Sequence, residues 1–139
     1  MKKYLKILLV FLALMIIMVV LIVISNSKNN NVVEEQINNL SASKEVSNVI
    51  FTNINYRIEN DVTVVSFKIF NNNDKDIKIN EYVVNVYDKE GHLLGTMKPF
   101  VLSSIKKRDS IRIKFSVEEK YDNAYSLEFE LPNLEFIEN

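Results

Sequence analysis

Residues 110–117 read SIRIKFSV: Ile111, Ile113, Phe115 and Val117 alternate with Ser110, Arg112, Lys114 and Ser116. Successive side chains of a strand point to opposite faces, so this alternation predicts a strand with one face buried and one in water. Downstream, residues 125–131 repeat the pattern. Tyr125, Leu127, Phe129 and Leu131 alternate with Ser126, Glu128 and Glu130, and Pro132 ends the run. Setting Ile113 opposite Phe129 in an antiparallel pair places Arg112 against Glu130 and Lys114 against Glu128. The same register sets Ile111 against Leu131 and Phe115 against Leu127. The expectation is a closing hairpin with a firmly set register.

Upstream, the same period of two recurs. Ile54, Tyr56 and Ile58 alternate with Asn53, Asn55, Arg57 and Glu59. Asn60-Asp61 follows, and both types tolerate positive φ, so a tight hairpin is expected there. Residues 62–70 put Val65, Phe67 and Ile69 on one face and Val64, Ser66 and Lys68 on the other. Residues 71–76 form a polar turn rich in Asn and Asp. Residues 77–88 make a third strand, with Tyr82, Val84 and Val86 facing inward. Gly91 marks the next turn, where a left-handed residue is wanted. Residues 93–101 make a fourth strand, in which Gly95 permits a bulge and Pro99 suggests an edge. Residues 103–109 are a polar, basic connection, and 134–137 add a short last strand. Short strands at about 10–12-residue spacing predict an all-β fold. The expected fold is an antiparallel, immunoglobulin-like β-sandwich of about six to seven strands. There is no Cys…Trp…Cys core signature of an antibody-type domain.

Ahead of this domain, residues 7–24 form an unbroken apolar run without charge, Gly or Pro. Eighteen residues at about 1.5 Å rise span about 27 Å, close to the bilayer core, and lipid forces helix. One N-terminal transmembrane helix is therefore expected to precede the sandwich. Lys2, Lys3 and Lys6 flank it on one side, which keeps residues 1–6 cytoplasmic and sends the rest across. The alternative is a signal peptide cleaved near Ser27, which would leave a secreted domain. The run is longer than such a core, and Ser25-Asn26-Ser27 is a poor cleavage site. Residues 25–47 read as a polar stalk. Within it, Val33, Ile37 and Leu40 allow a short helix over 32–40, which needs a surface to lie on. The sandwich domain is placed at 48–139.

Of the 17 basic residues 14 lie beyond the apolar run, as do all 18 acidic ones, a balance of −4. That argues against a nucleic-acid partner. With no cysteine, an exported small domain must be held by its core alone, which fits a bacterial surface.

His92 is the only histidine and has no cysteine or second histidine to share a metal or a triad. Asp74, Asp76, Asp88 and Glu90 fall in loops, where calcium finds oxygen ligands. Asp74-Lys75-Asp76 lacks the EF-hand frame, and Lys75 and Lys89 offset the charge. Lys106, Lys107 and Arg108 form a basic cluster able to meet an anionic wall polymer or headgroups. No phosphate loop, G-x-S-x-G or nucleophile–base pair is present. No catalytic, cofactor-binding or metal residue is assigned, and an enzyme is not expected.

Phe70-Asn71-Asn72, the stretch from Val84 through Tyr87-Asp88 to Gly91, the 111–115 strand and the closing Tyr125-Ser126-Leu127-Glu128-Phe129 together resemble the FxLYD-type domains of bacterial surface proteins. The resemblance covers roughly 53–131. It implies an immunoglobulin-like sandwich on a lipoprotein or behind a single anchor, in an adhesion, scaffold or envelope-assembly role. It brings no catalytic residues. This chain departs from the family pattern in carrying Lys107-Arg108-Asp109 where Pro-Gly is usual.

The expected function is a membrane-anchored, extracytoplasmic interaction module of the bacterial cell envelope. It would present a sandwich face, or the Pro99-side edge strand, to an envelope protein or wall component. One alternative is an accessory structural subunit of a membrane complex, held through residues 7–24. That run has no small-xxx-small pair, only Ala13, which disfavours close helix pairing. Another is a surface domain binding calcium or a small ligand.

Overall fold

The computed structural model describes residues 11–12, 14–25, 36, 38–100 and 102–138. The chain divides into two compact units, 1–35 and 36–139. In the first, residues 11–12 and 14–25 are helical, with exposed apolar side chains. The apolar run expected to span a membrane lies partly outside the described residues, at 7–10 and 13. Among the described residues no helix is long and apolar enough to cross a membrane.

Apart from a helical turn at 38–41, the regular structure of the second unit is antiparallel β. Its strands are β1 (Lys44–Val46), β2 (Val49–Glu59), β3 (Val62–Asn71), β4 (Asp76–Ile79), β5 (Val83–Tyr87), β6 (Leu93–Met97), β7 (Ser103–Ile105), β8 (Ser110–Val117), β9 (Ser126–Glu130) and β10 (Leu134–Ile137). One sheet has the order β1-β2-β3-β8. Two shorter ladders run β6-β5-β9 and β7-β4-β10. The chain joins them strand by strand: β4 runs into β5, β6 into β7 and β9 into β10. They are the two halves of one three-stranded layer, broken across its waist. Both prolines of the chain, Pro99 and Pro132, sit at these breaks. Proline has no N–H to give a ladder, and β6 and β9 each end two residues before one. At the third break, Asn80 and Asn133 stitch the halves. The Asn80 N–H donates to the Asn133 carbonyl at 3.4 Å, and the Asn133 amide donates to Glu81 at 3.0 Å.

The two layers close on one core to which every ladder contributes. Val65, Phe67 and Ile69 of β3 are buried, as are Ile77 and Ile79 of β4, Val84 and Val86 of β5, and Leu127 and Phe129 of β9. Its centre is aromatic. Phe67 lies edge-on to Phe51, Phe115 and Phe129, at 5.6, 6.2 and 5.1 Å between ring centroids. The arrangement is a β-sandwich. Counting each broken strand once gives seven lines of chain, four in one layer and three in the other. The immunoglobulin order would intersperse them differently: here β2 and β3 are sequential neighbours, and β8 follows β3 at the sheet edge.

The inward sets expected from alternation are buried or half-buried as read, and the Asn60-Asp61 hairpin forms with φ of 51° and 63°. The closing hairpin does not form. β8 pairs with β3, with Ile113 opposite Phe67, and β9 pairs with β5, with Phe129 opposite Val84. The two strands stand in different layers, so Arg112 and Lys114 are not opposite Glu130 and Glu128. Alternation states which face a strand buries and not whom it pairs. β3 carries the same apolar alternation, and residues 118–125 are long enough to cross between layers. Three further expectations change. The strand expected over 77–88 divides into β4 and β5. The strand expected over 93–101 stops at Met97. The connection expected at 103–109 contains β7, with Ser103 and Ile105 buried. Residues 38–41 of the stalk are helical, and Leu40 is buried in the core. The Gln36 amide donates to the Ala124 carbonyl, so this compact unit begins before β1.

In β2 the register shifts between Thr52 and Asn55, around Asn53 at φ 51°. This bulge inverts the alternation. Val49 and Phe51 face inward before it, and Ile54 and Tyr56 after it.

Candidate functional site

The turn after β5 brings Asp88, Glu90 and His92 together, with donor atoms all within 4.8 Å of one another. Asp88 shapes this turn. Its Oδ1 accepts the His92 backbone N–H at 2.8 Å, and its Oδ2 lies 3.1 Å from His92 Nδ1. The donated N–H of His92 is the main cause holding the Asp88 carboxyl below its ordinary range. His92, read from sequence as lacking a partner, thus has one in Asp88. Both Asp88 oxygens are engaged within the turn, and three donors fall short of the six to eight oxygens calcium takes. Asp74, in the turn after β3, and Asp76, at the start of β4, belong to a different part of the sandwich. Asp74 accepts from Arg108 Nη2 at 2.9 Å, and Asp76 accepts the Lys107 backbone N–H at 2.8 Å. The four loop carboxylates are not gathered into one site.

The Lys106–Arg108 cluster forms the turn from β7 to β8, with Arg108 at φ 60°. Its guanidinium bonds to Asn72 and Asp74, tying this turn to the one after β3. Between the two turns lies Asn71, fully buried. Its amide nitrogen donates to the carbonyls of Lys75, Ile105 and Lys106 at 2.9, 3.1 and 3.2 Å. Its oxygen accepts the Asn73 N–H at 3.0 Å. Asn71 therefore sets the loops at this end of the sandwich.

The Pro99-side strand is an edge. Among the described residues β6 pairs only with β5, and it carries a bulge at Leu94, beside Gly95. Past its end the chain presents Phe100, 87% exposed, and Leu102, 59% exposed. Both large apolar side chains stand mostly in solvent.

A second surface was not legible as a unit in the sequence. On the outer face of the four-stranded sheet, Lys68 stands directly opposite Arg112, and Ser66 opposite Lys114. With Asn53 they line a groove of about 360 Å³. Among the described residues, none of Lys68, Arg112 and Lys114 makes an ion pair. The opposite outer face carries Glu128 and Glu130 on β9, where Glu130 accepts from the Asn85 amide at 2.6 Å. The signal was present in the outward parity of 68, 112 and 114, but pairing β8 with β9 neutralised two of those charges on paper.

No family model matches the chain, and no curated protein matches it. Among solved structures, the chain is similar to the crystal structure of a DUF1425 family member from Shewanella sp. pv-4. The two share 14% identity over 73% of this chain and 94% of that one, with a TM-score of 0.41.

Proposed function

We propose that this protein is a non-catalytic interaction module of the bacterial cell envelope. Residues 7–24 anchor it in the membrane, and the sandwich works outside. The observation that carries the reading is the open β6 edge with Phe100 and Leu102 exposed beside it. An edge strand offers unpaired backbone groups, and neighbouring apolar side chains supply anchors for a strand added by a partner. The apolar run with its lysine flank supports the tether, and the FxLYD-type resemblance agrees with a surface role.

The test uses the full chain in its own cells, with a photo-crosslinking residue at Thr96 or Phe100. The expected result is one recurrent envelope partner, reached from both positions and lost from position 96 when Phe100→Asp is added. External protease should remove the domain from intact cells. Intact mass should retain the first 24 residues. Crosslinks no more specific than those from an exposed control position such as Glu119 would overturn the edge reading. A mature N-terminus near Lys28 would replace the anchor with secretion.

A further inference from the structure

We infer that the groove on the outer face of the four-stranded sheet is a binding site for a linear polyanion of phosphodiesters. Lys68 and Arg112 face each other across β3 and β8. Like charges directly opposite destabilise a strand pair, and no carboxylate among the described residues neutralises either one. Lys114 follows Arg112 two residues along the same strand, about 6.7 Å away, while cross-strand neighbours stand about 4.5–5.5 Å apart. Three positive charges thus converge within one or two repeat lengths of a phosphodiester chain. Asn53 and Ser66, lining the same groove, add neutral polar groups for the units between phosphates. Arg112 brings a planar fork suited to two phosphate oxygens, and the lysines bring point charges.

The shape narrows the choice. The site is concave, beside the bulge that bends β2 at Asn53, and a flat bilayer surface does not enter a groove. The acidic face of a second copy is a poorer fit, because Glu130 there is already held by Asn85. Nucleic acid is disfavoured by the acidic balance of the domain, and Phe67, the aromatic residue of the groove's lining, has its ring buried in the core cluster, where it offers no face for a base to stack on. Only the choice of a non-nucleic polymer rests on the extracytoplasmic reading above. Binding itself is read on purified protein, so the two can fail separately.

The experiment titrates the full chain, in neutral detergent, with synthetic poly(glycerol phosphate). Binding is expected to weaken with salt, with a slope of about −2 in log K against log salt for three neutralised phosphates. Lys68→Gln/Arg112→Gln/Lys114→Gln should lose at least about tenfold in affinity while melting no lower than the parent, since a repulsive pair is removed. Lys106→Gln/Lys107→Gln, on the neighbouring turn, should bind as the parent does. No binding at low salt, or equal losses in the two variants, overturns the proposal. So does equal or tighter binding of oligothymidylate or of anionic vesicles. Self-association abolished by Glu128→Gln/Glu130→Gln, with no polymer bound, would assign the groove to a second copy and overturn it too.

Discussion

Phe129 lies nearly flat on Phe51, with centroids 4.3 Å apart and planes 21° from parallel. One ring comes from β9 and the other from β2, so this stack joins the two layers at the centre of the core. Truncating Phe129 removes it together with the edge-on contact to Phe67. Phe129→Ala should cost about 3–5 kcal/mol, a large part of a small domain's stability, measured by urea unfolding. The same topology makes a charge test. Arg112→Glu and Glu130→Lys should show coupling below about 0.3–0.5 kcal/mol in a double-mutant cycle, because they stand on opposite outer faces. Measurable rescue would restore the β8–β9 pairing that the structure excludes.

Gly95 exists for Tyr121. A Cβ at Gly95 would fall 2.4–2.7 Å from the Tyr121 ring and hydroxyl. The Tyr121 carbonyl in turn accepts the Tyr56 hydroxyl at 2.8 Å. The 118–125 crossing is thus held to both layers. Gly95→Ala should destabilise by about 1–3 kcal/mol through overpacking. In a Tyr121→Ala background the same change should cost almost nothing. Equal losses in both backgrounds would show that the glycine serves backbone conformation instead.

Asn71 gives a prediction with a pH signature. Its amide nitrogen faces three carbonyl oxygens. Asn71→Ala leaves them short of a donor, at about 1–3 kcal/mol. Asn71→Asp should be worse at pH 7, since a buried carboxylate would face the same oxygens. The new carboxyl would have its folded pKa raised, because only the protonated form donates. Its stability contribution is therefore present below the unfolded carboxylate pKa and lost as pH rises. Asn71→Asp should recover toward Asn71→Ala on acidification, and chemical unfolding at pH 4 and 7 reads this directly.

Tyr82 is enclosed, and its hydroxyl has no hydrogen-bond partner of good geometry. Burial pushes its phenol above the ordinary 10.0, an effect slightly offset by the nearby Ser103 hydroxyl. Tyr56 and Tyr121 are raised too, again chiefly by burial. A raised folded pKa means that the unfolded chain ionises first. The stability is whole below pH 10 and falls as pH climbs through the folded values. Tyr82→Phe should unfold at a more alkaline pH than the parent, and at neutral pH should be neutral or gain about 1 kcal/mol. Loss of stability at neutral pH would mean that the hydroxyl is satisfied after all.

The inward faces of the strands were readable from a period of two, although Val64 on β3 and Val83 and Asn85 on β5, at outward positions, are buried as well. Val65, Phe67, Ile69, Tyr82, Val84 and Val86 all lie where alternation places them. Partners were not readable, since β3 and β9 present the same pattern to β8. Val49 and Phe51 escaped because the Asn53 bulge inverts parity, and nothing in Thr-Asn-Ile announces an added residue. The waist of the second layer was half visible. Pro99 and Pro132 marked two breaks, but the third, at 80–82, contains no proline. The cationic groove escaped for the same reason as the pairing, because it exists only once β8 lies beside β3.

β1 also decides how the domain meets a pull. Load arriving along the N-terminal chain reaches Gln36 and Leu40 first, then the three pairs from Lys44–Phe51 to Val46–Val49. β1 is the outermost strand of its sheet, and tension applied at its free end separates these pairs in series, as a strip peels from an edge. Peeling exposes Val49 and Phe51 before it touches the β3–β8 ladder. A modest pull would thus lengthen the N-terminal lead by a few residues and leave the groove of Lys68, Arg112 and Lys114 intact, so the lead strand acts as a shock absorber between the chain before it and the rest of the sandwich.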